Sequence, residues 1–573
     1  MIRPGVVSVK AVNQYRRRDV IAYLGLRYYL ESESARKDLW ARDVATRLER
    51  HGAGGGYLCL KHFKELDERG GVAHRDIYVP RPNEALAEVA LIDACARAGG
   101  KFHASHNVYS YMLSSHDDRQ GVFRNYMDGL RRRHDAISLA CSSDPGALVS
   151  FRDLKKFYPS IRIELAHAVW KMACAESTLD TNYVALGHAL LDHHGEASGG
   201  HLLTGPLFSH LIGNLVLRSI DDLTEGGGAS YFRYVDDITF VGEATKVDEA
   251  LKRLQGSLEA LGLHLHGAGS LKSLDVEGAR WMHSKHDFQE PKEEESWMTL
   301  IGDVKHVLLW SPHEAHDLEE KLESEGMRLP MRDYGGAISE ASYLSRAIYR
   351  LSWQWKKRRG RSVTPTAILA QAKSLRKKYT SDLEELSEKL RDADNFDTKR
   401  YASMARYRLG RLAYLASPAN LLEAAVSTSA HPQLAFHSEV ARAVATQDVG
   451  RLLSLGTNAA QAAAQPLRAV TSRVDIGKAP ETEAQLQSLA VLALNGILPK
   501  DEVSLADRSD LSRFSLEGGS LRLMQSKSKF IAEVASLHGI GEARHATTID
   551  TAFDIDEALA LDAIDQASTS MYI

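Results

Sequence analysis

Hydrophobic and polar positions along this chain follow two regimes. Up to about residue 310, short runs of aromatic and β-branched residues recur between glycine, proline and aspartate, a pattern that reads as strands. From about residue 335 onward, alanine and leucine recur at i, i+3 and i+4, which predicts helix almost throughout. His74-Arg75-Asp76-Ile77-Tyr78-Val79-Pro80 is a strand stopped by its proline, and Leu148-Val149-Ser150-Phe151 is a short apolar run ending near Asp153. In residues 231–241, two such runs flank Asp236-Asp237, which predicts a tight hairpin with both carboxylates at its turn. Trp297-Met298-Thr299-Leu300-Ile301 and the run from Val304 to Trp310 read as strands completing the same sheet. Within the first regime, helical spacing marks residues 10–50, residues 84–98, and a helix carrying Leu207, Phe208, Leu211, Ile212 and Leu215 on one face.

Composition narrows the class. The chain has 573 residues, 44% hydrophobic and 25% charged, as expected of a soluble protein with two to four domains. No run approaches the roughly 18 apolar residues of a membrane span, and Met1-Ile2-Arg3-Pro4 does not begin a secretory signal. Cys59, Cys95, Cys141 and Cys174 are scattered, which points to reduced thiols and a cytoplasmic location. The net charge of −4 argues against a generally basic coat, so any nucleic-acid surface must be local. The glycine-rich stretch from Gly52 to Gly56 lacks the Gly-Lys-Ser/Thr ending of a phosphate loop.

The candidate chemistry lies in three aspartates. Neighbouring carboxylates repel, and a divalent cation removes that cost. Asp153 stands 83 residues before Asp236, so only folding brings them together. A strand ending in one aspartate beside a hairpin tipped with two could hold two Mg²⁺ about 3.5–4 Å apart, the arrangement for in-line phosphoryl transfer. Those residues point to a nucleotidyl transferase.

Asp153 with Phe157-Tyr158, then Thr204-Gly205-Pro206, then Tyr234-Val235-Asp236-Asp237, resemble the ordered palm motifs of reverse transcriptases. The segment from Leu261 to His266, followed by Lys272, is similar to the next motif, with His266 where the family usually has Asn. Tyr109-Ser110-Tyr111 and the long helical C-terminal region resemble the bacterial abortive-infection and defence-associated branch. The resemblance implies an α+β fold: right-hand polymerase fingers and palm, followed by an all-α, helical-repeat-like C-terminal domain. The expected boundaries are residues 1–149, 150–330 and 331–573. It implies Mg²⁺, with Mn²⁺ as a substitute, on Asp153, the Leu154 carbonyl, Asp236 and Asp237. It places Tyr158 as a steric gate selecting dNTPs, and Thr204, Gly205, Lys272 and Arg75 around the nucleotide, with Arg81 as a second fingers candidate. It further implies RNA or DNA partners, synthesis that is either templated by a non-coding RNA or template-independent, a homo-oligomer and a role in antiphage defence.

Between Trp353 and Lys378 lie nine basic residues and no acidic one. Trp353, Lys356, Lys357, Arg358, Arg359 and Arg361 are the candidate nucleic-acid surface, the tryptophan stacking on bases. Arg131-Arg132-Arg133 is a second candidate for tracking a phosphate backbone. The last stretch, from Gly541, is acidic and ends near Tyr572, a candidate priming hydroxyl if synthesis starts on the protein itself. A retron-like or intron-like RNA-templated enzyme and a catalytically silent RNA-binding scaffold are the competing readings.

Overall fold

The computed structural model describes residues 56–331 apart from 68–69, 116–120, 145, 225–227 and 285–295, then residues 363–500, and scattered positions between 7 and 26. The described protein mixes α and β, with small sheets ahead of a helical C-terminal region. Trp353, Lys356, Lys357, Arg358, Arg359, Arg361 and Tyr572 lie outside the described residues, as does the acidic tail. Among the described residues no helix is long and apolar enough to cross a membrane.

An antiparallel hairpin comes first: β1 (Tyr57–Leu66) and β2 (Val72–Pro80), the second strand stopping at its proline. Pro82 opens α1 (Pro82–Ala98), where a missing N–H is harmless. Asn125 caps α2 (Tyr126–Ser143) by accepting a hydrogen bond from the Met127 amide. Then follow β3 (Leu148–Asp153), α3 (Ile163–Ala175), α4 (Thr181–Ser198), α5 (Leu207–Thr224), β4 (Ser230–Tyr234), β5 (Asp237–Gly242), α6 (Ala244–Ala260) and β6 (Ser273–Glu277).

The central sheet has the order β4-β5-β3-β6, antiparallel throughout. Side chains alternate across it. Tyr231, Ile238 and Phe240 enter the main core, while Val149, Phe151, Phe232, Val241, Leu274 and Val276 meet Ile137 and Cys141 of α2 in a second, smaller core. Both faces are covered, which is why these strands read as continuous apolar runs.

The expectation of strands between Trp297 and Trp310 is wrong. That stretch is one helix, α7 (Trp297–Trp310), capped by Ser296, whose side chain accepts from the Thr299 amide. Trp297, Leu300, Ile301, Val304 and Val307 are all buried, and their spacing is the i, i+3, i+4 stripe of a helix. Local β-propensity pointed one way and periodicity the other; periodicity wins because it decides which side chains can be buried together.

Helices α8 (Ala315–Ser324), α9 (Pro365–Lys389), α10 (Asn395–Leu415), α11 (Pro418–Thr428), α12 (Ala435–Thr446), α13 (Gly450–Leu455), α14 (Thr457–Arg468) and α15 (Glu483–Leu494) make the C-terminal region. Its one sheet among the described residues is a two-residue parallel pair, Arg473–Val474 with Leu498–Pro499. The basic block reaches into α9, where Lys373 pairs with Glu325 at 2.7 Å and Arg376 donates to the Glu325 carbonyl at 3.0 Å. Those two cations fasten α9 to the end of α8; Lys377 and Lys378 stay exposed.

The same region grips the first hairpin. Gln487 of α15 accepts from the Lys61 amide at 2.7 Å and donates to the Cys59 carbonyl at 3.0 Å. Asn458 of α14 accepts from the Phe63 amide at 2.8 Å and donates to its carbonyl at 3.4 Å. The outer edge of β1 is thus closed by side-chain amides instead of another strand.

Glu88 of α1 ties the hairpin to α5. Its fully buried carboxylate accepts from the amides of Leu207 at 2.6 Å and Phe208 at 3.2 Å, and from the Tyr57 hydroxyl at 2.8 Å. An anion at a helix N-terminus satisfies donors that have no partner within the helix. Glu88→Ala strands the Leu207 and Phe208 amides and leaves the Tyr57 hydroxyl with His194 Nε2 at 3.1 Å, and urea unfolding should show a loss of about 3 kcal/mol.

Candidate active site

Strand register assembles the carboxylates. Asp153 ends β3 directly opposite Asp237, the first residue of β5, so one residue pair brings both carboxylates to one end and one face of the sheet. Asp236 sits in the turn between β4 and β5, and its carbonyl accepts from the Leu154 amide at 3.3 Å. The loop after α6 closes the third side. Gly262, at φ +73°, reverses the chain beyond the helix, and the Leu263 amide bonds back to Leu258. Leu265 then bridges Leu154, and the His266 amide donates to the Asp153 carbonyl at 2.9 Å.

The turn itself is strained. Tyr234 pairs with Asp237, leaving Val235 and Asp236 as its two central residues, and Val235 adopts φ +56°. A β-branched residue in the left-handed region costs on the order of 1–3 kcal/mol and persists only when its surroundings impose it. Here they do. The Ser110 hydroxyl accepts from the Val235 amide at 2.7 Å, and Arg233 donates to the Val235 carbonyl at 2.9 Å. Arg233 is held bidentately by Asp221, with both contacts at 2.7 Å, and donates also to Asn214. Both charged side chains are 1% exposed.

Electrostatics opposes ionising all three aspartates together. Burial raises the carboxyl of Asp153 despite the cation of Lys272, and burial with the nearby Asp153 charge pushes Asp236 up to about 6. Burial and the Asp236 charge push Asp237 up to about 8. Such groups titrate as a unit. Cations answer them from several elements. Lys272 reaches Asp153 Oδ2 at 3.4 Å, and the charges of Arg75, Arg133 and Lys399 also act on the cluster. His266 Nε2 stands 3.3 Å from Asp153 Oδ1, but burial and Lys272 lower its pKa to about 4, so the imidazole is neutral near pH 7.

The other expected residues surround this cluster at different removes. Arg75 lies half-buried on β2, paired across the hairpin with His62. The Thr204 carbonyl accepts from the Tyr78 amide at 2.8 Å, and Gly205, at φ +125°, packs so closely that a Cβ would lie 2.4 Å from the Tyr78 carbonyl oxygen. The loop before α5 is therefore sewn to the strand that carries Arg75. Tyr158 is 8% exposed, and its hydroxyl meets His210 Nδ1 at 2.5 Å. His210 in turn stacks on Tyr111, with centroids 3.7 Å apart. Arg81, the other candidate, stands at the start of α1, where its charge acts on Glu84.

Arg133 and Lys399 stand where the sequence pattern does not place them. Arg133 does not track a phosphate backbone: it is 1% exposed beneath the hairpin and donates to Thr239 Oγ1 at 2.6 Å, while Arg131 and Arg132 face solvent. Its helical position, one turn before Ile137 on the buried stripe of α2, was the available signal. Lys399 comes from α10, about 160 residues after the hairpin, and no local pattern marks it.

Mg²⁺ suits the donor chemistry, since carboxylate and carbonyl oxygens are hard ligands. Asp153 Oδ1 is buried and accepts no hydrogen bond, an orphaned acceptor of the kind a cation would satisfy. Among the described residues no group of three or more His, Cys, Asp or Glu side chains is placed to hold a metal ion. No protein-family model matches this chain, and no curated protein matches it either.

Two outcomes follow from this geometry. Asp221→Ala leaves Arg233 buried and unpaired and should cost about 3–5 kcal/mol in chemical denaturation. Asp236 and Asp237 hold protons more tightly in the folded chain than at the unfolded value of 3.8. Their contribution to stability is greatest when protonated and is lost as pH rises from about 4 through about 8. Melting in EDTA should fall across that range, and Asp237→Asn should flatten the upper part of the decline.

Proposed function

We propose that this protein is a DNA polymerase of the reverse-transcriptase class that joins dNTPs by phosphoryl transfer on Asp153, Asp236 and Asp237. The observation that carries the reading is the strand register opposing Asp153 to Asp237 beside the Asp236 turn. It brings Asp153, distant in sequence, to the adjacent Asp236 and Asp237 at one end of the sheet. On this reading the central sheet is the palm, and the β1–β2 hairpin with α1 belongs to the fingers.

Divalent magnesium bound there would make the attacking hydroxyl more acidic and stabilise the pyrophosphate leaving group. The chain's own residues do the rest. The three aspartates supply oxygen donors, and Arg233 with Ser110 fixes the turn that aims Asp236. Arg75 and Lys272 offer positive charge to a triphosphate, as their effect on the Asp153 carboxyl supports. Tyr158 is the ring assigned to exclude a ribose 2′-hydroxyl. Its tie to His210 and the His210–Tyr111 stack would keep that ring from swinging aside. A role in antiphage defence, a homo-oligomeric state and priming from Tyr572 belong to the same proposal and rest on resemblance alone.

The test is incorporation of labelled dNTPs by purified full-length protein with Mg²⁺, with and without nuclease treatment, resolved on a denaturing protein gel before and after protease. Incorporation should fall to background in the Asp236→Ala/Asp237→Ala variant. Label travelling with the protein and released by protease would establish protein priming; Tyr572→Phe would then lose it. Absence of incorporation together with absence of metal binding would leave the scaffold reading standing.

A further inference from the structure

One end of α10 is anchored beside the aspartates with unusual thoroughness. Asp394 caps the helix and accepts from the Asp397 amide at 2.9 Å. Both carboxylates then converge on Arg280, at 2.7 Å from Asp394 and 2.8 Å from Asp397. Asn395 donates to the Gly269 carbonyl at 2.9 Å, in the loop between His266 and Lys272. Phe396 is buried in the smaller core with Val149, Phe151 and Val241, and the Arg280 guanidinium lies 5.2 Å over its ring. That core lines the sheet face on which Asp153 and Asp237 stand, by the two-residue alternation of β3 and β5.

Lys399 is one helical turn beyond Asn395 and on the same face of α10. Its ammonium is half-buried and interacts electrostatically with Asp237 and Asp153, from which Arg133 and Lys272 in turn repel it. No ion pair within 4 Å joins it to either aspartate among the described residues. A half-buried lysine without a direct partner is a poor stability device. Its placement makes sense as charge delivered to a site.

We propose that Lys399 is the counter-charge of the carboxylate cluster, supplied by the helical region through the docking of α10, and that it sets how tightly the cluster binds a divalent cation. The proposal rests on the polymerase reading in so far as that reading makes the aspartates metal ligands. The site is then composite: the sheet provides the ligands, and α10 provides the charge that weakens their hold. Lys399 is a positioning residue in this account, acting on the aspartates and touching no reactant.

The test is Mn²⁺ binding to the full chain, followed by the loss of the free-ion electron paramagnetic resonance signal, which needs no turnover. Removing one unit of positive charge that acts on the ligands should tighten binding about tenfold. Lys399→Met and Lys399→Gln should both show that gain, and Lys399→Arg should bind as the wild type does. A merely structural lysine would weaken or scatter binding and would not be rescued by charge alone. Lys399→Gln, which keeps a polar end, carries the test if the methionine variant folds poorly. Wild-type affinity in both neutral variants would overturn the proposal while leaving the polymerase reading intact. Wild type binding no better than Asp236→Ala/Asp237→Ala would overturn both.

Discussion

A β-branched residue held at positive φ has to be held by something, and here a buried guanidinium does it. Arg233 is pinned by both oxygens of Asp221, and its remaining donors reach Asn214 and the Val235 carbonyl. Because every contact of that cation is charge-assisted or directed at backbone, the turn has little freedom. The consequence reaches the chemistry directly. Asp236 is the next residue after Val235, so the direction of its side chain is inherited from a strained dihedral that α5 enforces through Asp221. The sheet supplies proximity for the carboxylates; the Arg233 clamp supplies aim.

Around that point the charges are arranged in opposition. Three acids share a partly dehydrated end of the sheet, and cations from β2, α2, the loop before β6 and α10 each act on them from a separate element. Distribution of this kind differs from a set of closed ion pairs. Asp153 keeps unspent acceptor capacity at its orphaned Oδ1. An acceptor left open among several positive charges suits a site that takes up a cation, the one direct contact of those charges among the described residues being Lys272 on Asp153 Oδ2 at 3.4 Å.

Much of this was legible in the chain because it is written in local terms. The Asp236-Asp237 hairpin, the strand ending at Asp153 and the proline that stops β2 each depend on residues within a few positions of one another. Even there the detail differed: both aspartates were expected at the turn, whereas Asp237 begins β5 and only Asp236 occupies it. The failures share a cause. Residue preference predicts strands over Trp297–Trp310, while the stripe of buried positions makes the segment a helix. Arg133 was read as surface because it belongs to a basic triplet, although its place on a helix turns it inward. Lys399 could not be read at all, because nothing near it in sequence records that α10 docks on the sheet. The Trp353–Arg361 surface falls outside the described residues, so the chain's candidate nucleic-acid patch stands on composition.

The amide ladder along β1 has a consequence for the life of the chain during synthesis. Gln487 and Asn458 cover the outer edge of the first hairpin, yet they are made some four hundred residues after it. Until they emerge, Cys59, Lys61 and Phe63 present a row of unpaired backbone groups to anything nearby, including the same strand of another nascent copy. A chain cut before Asn458 would carry that open edge permanently. The helical region therefore serves, besides any part in catalysis, as a late-arriving guard against self-association, and its loss would surface first as aggregation.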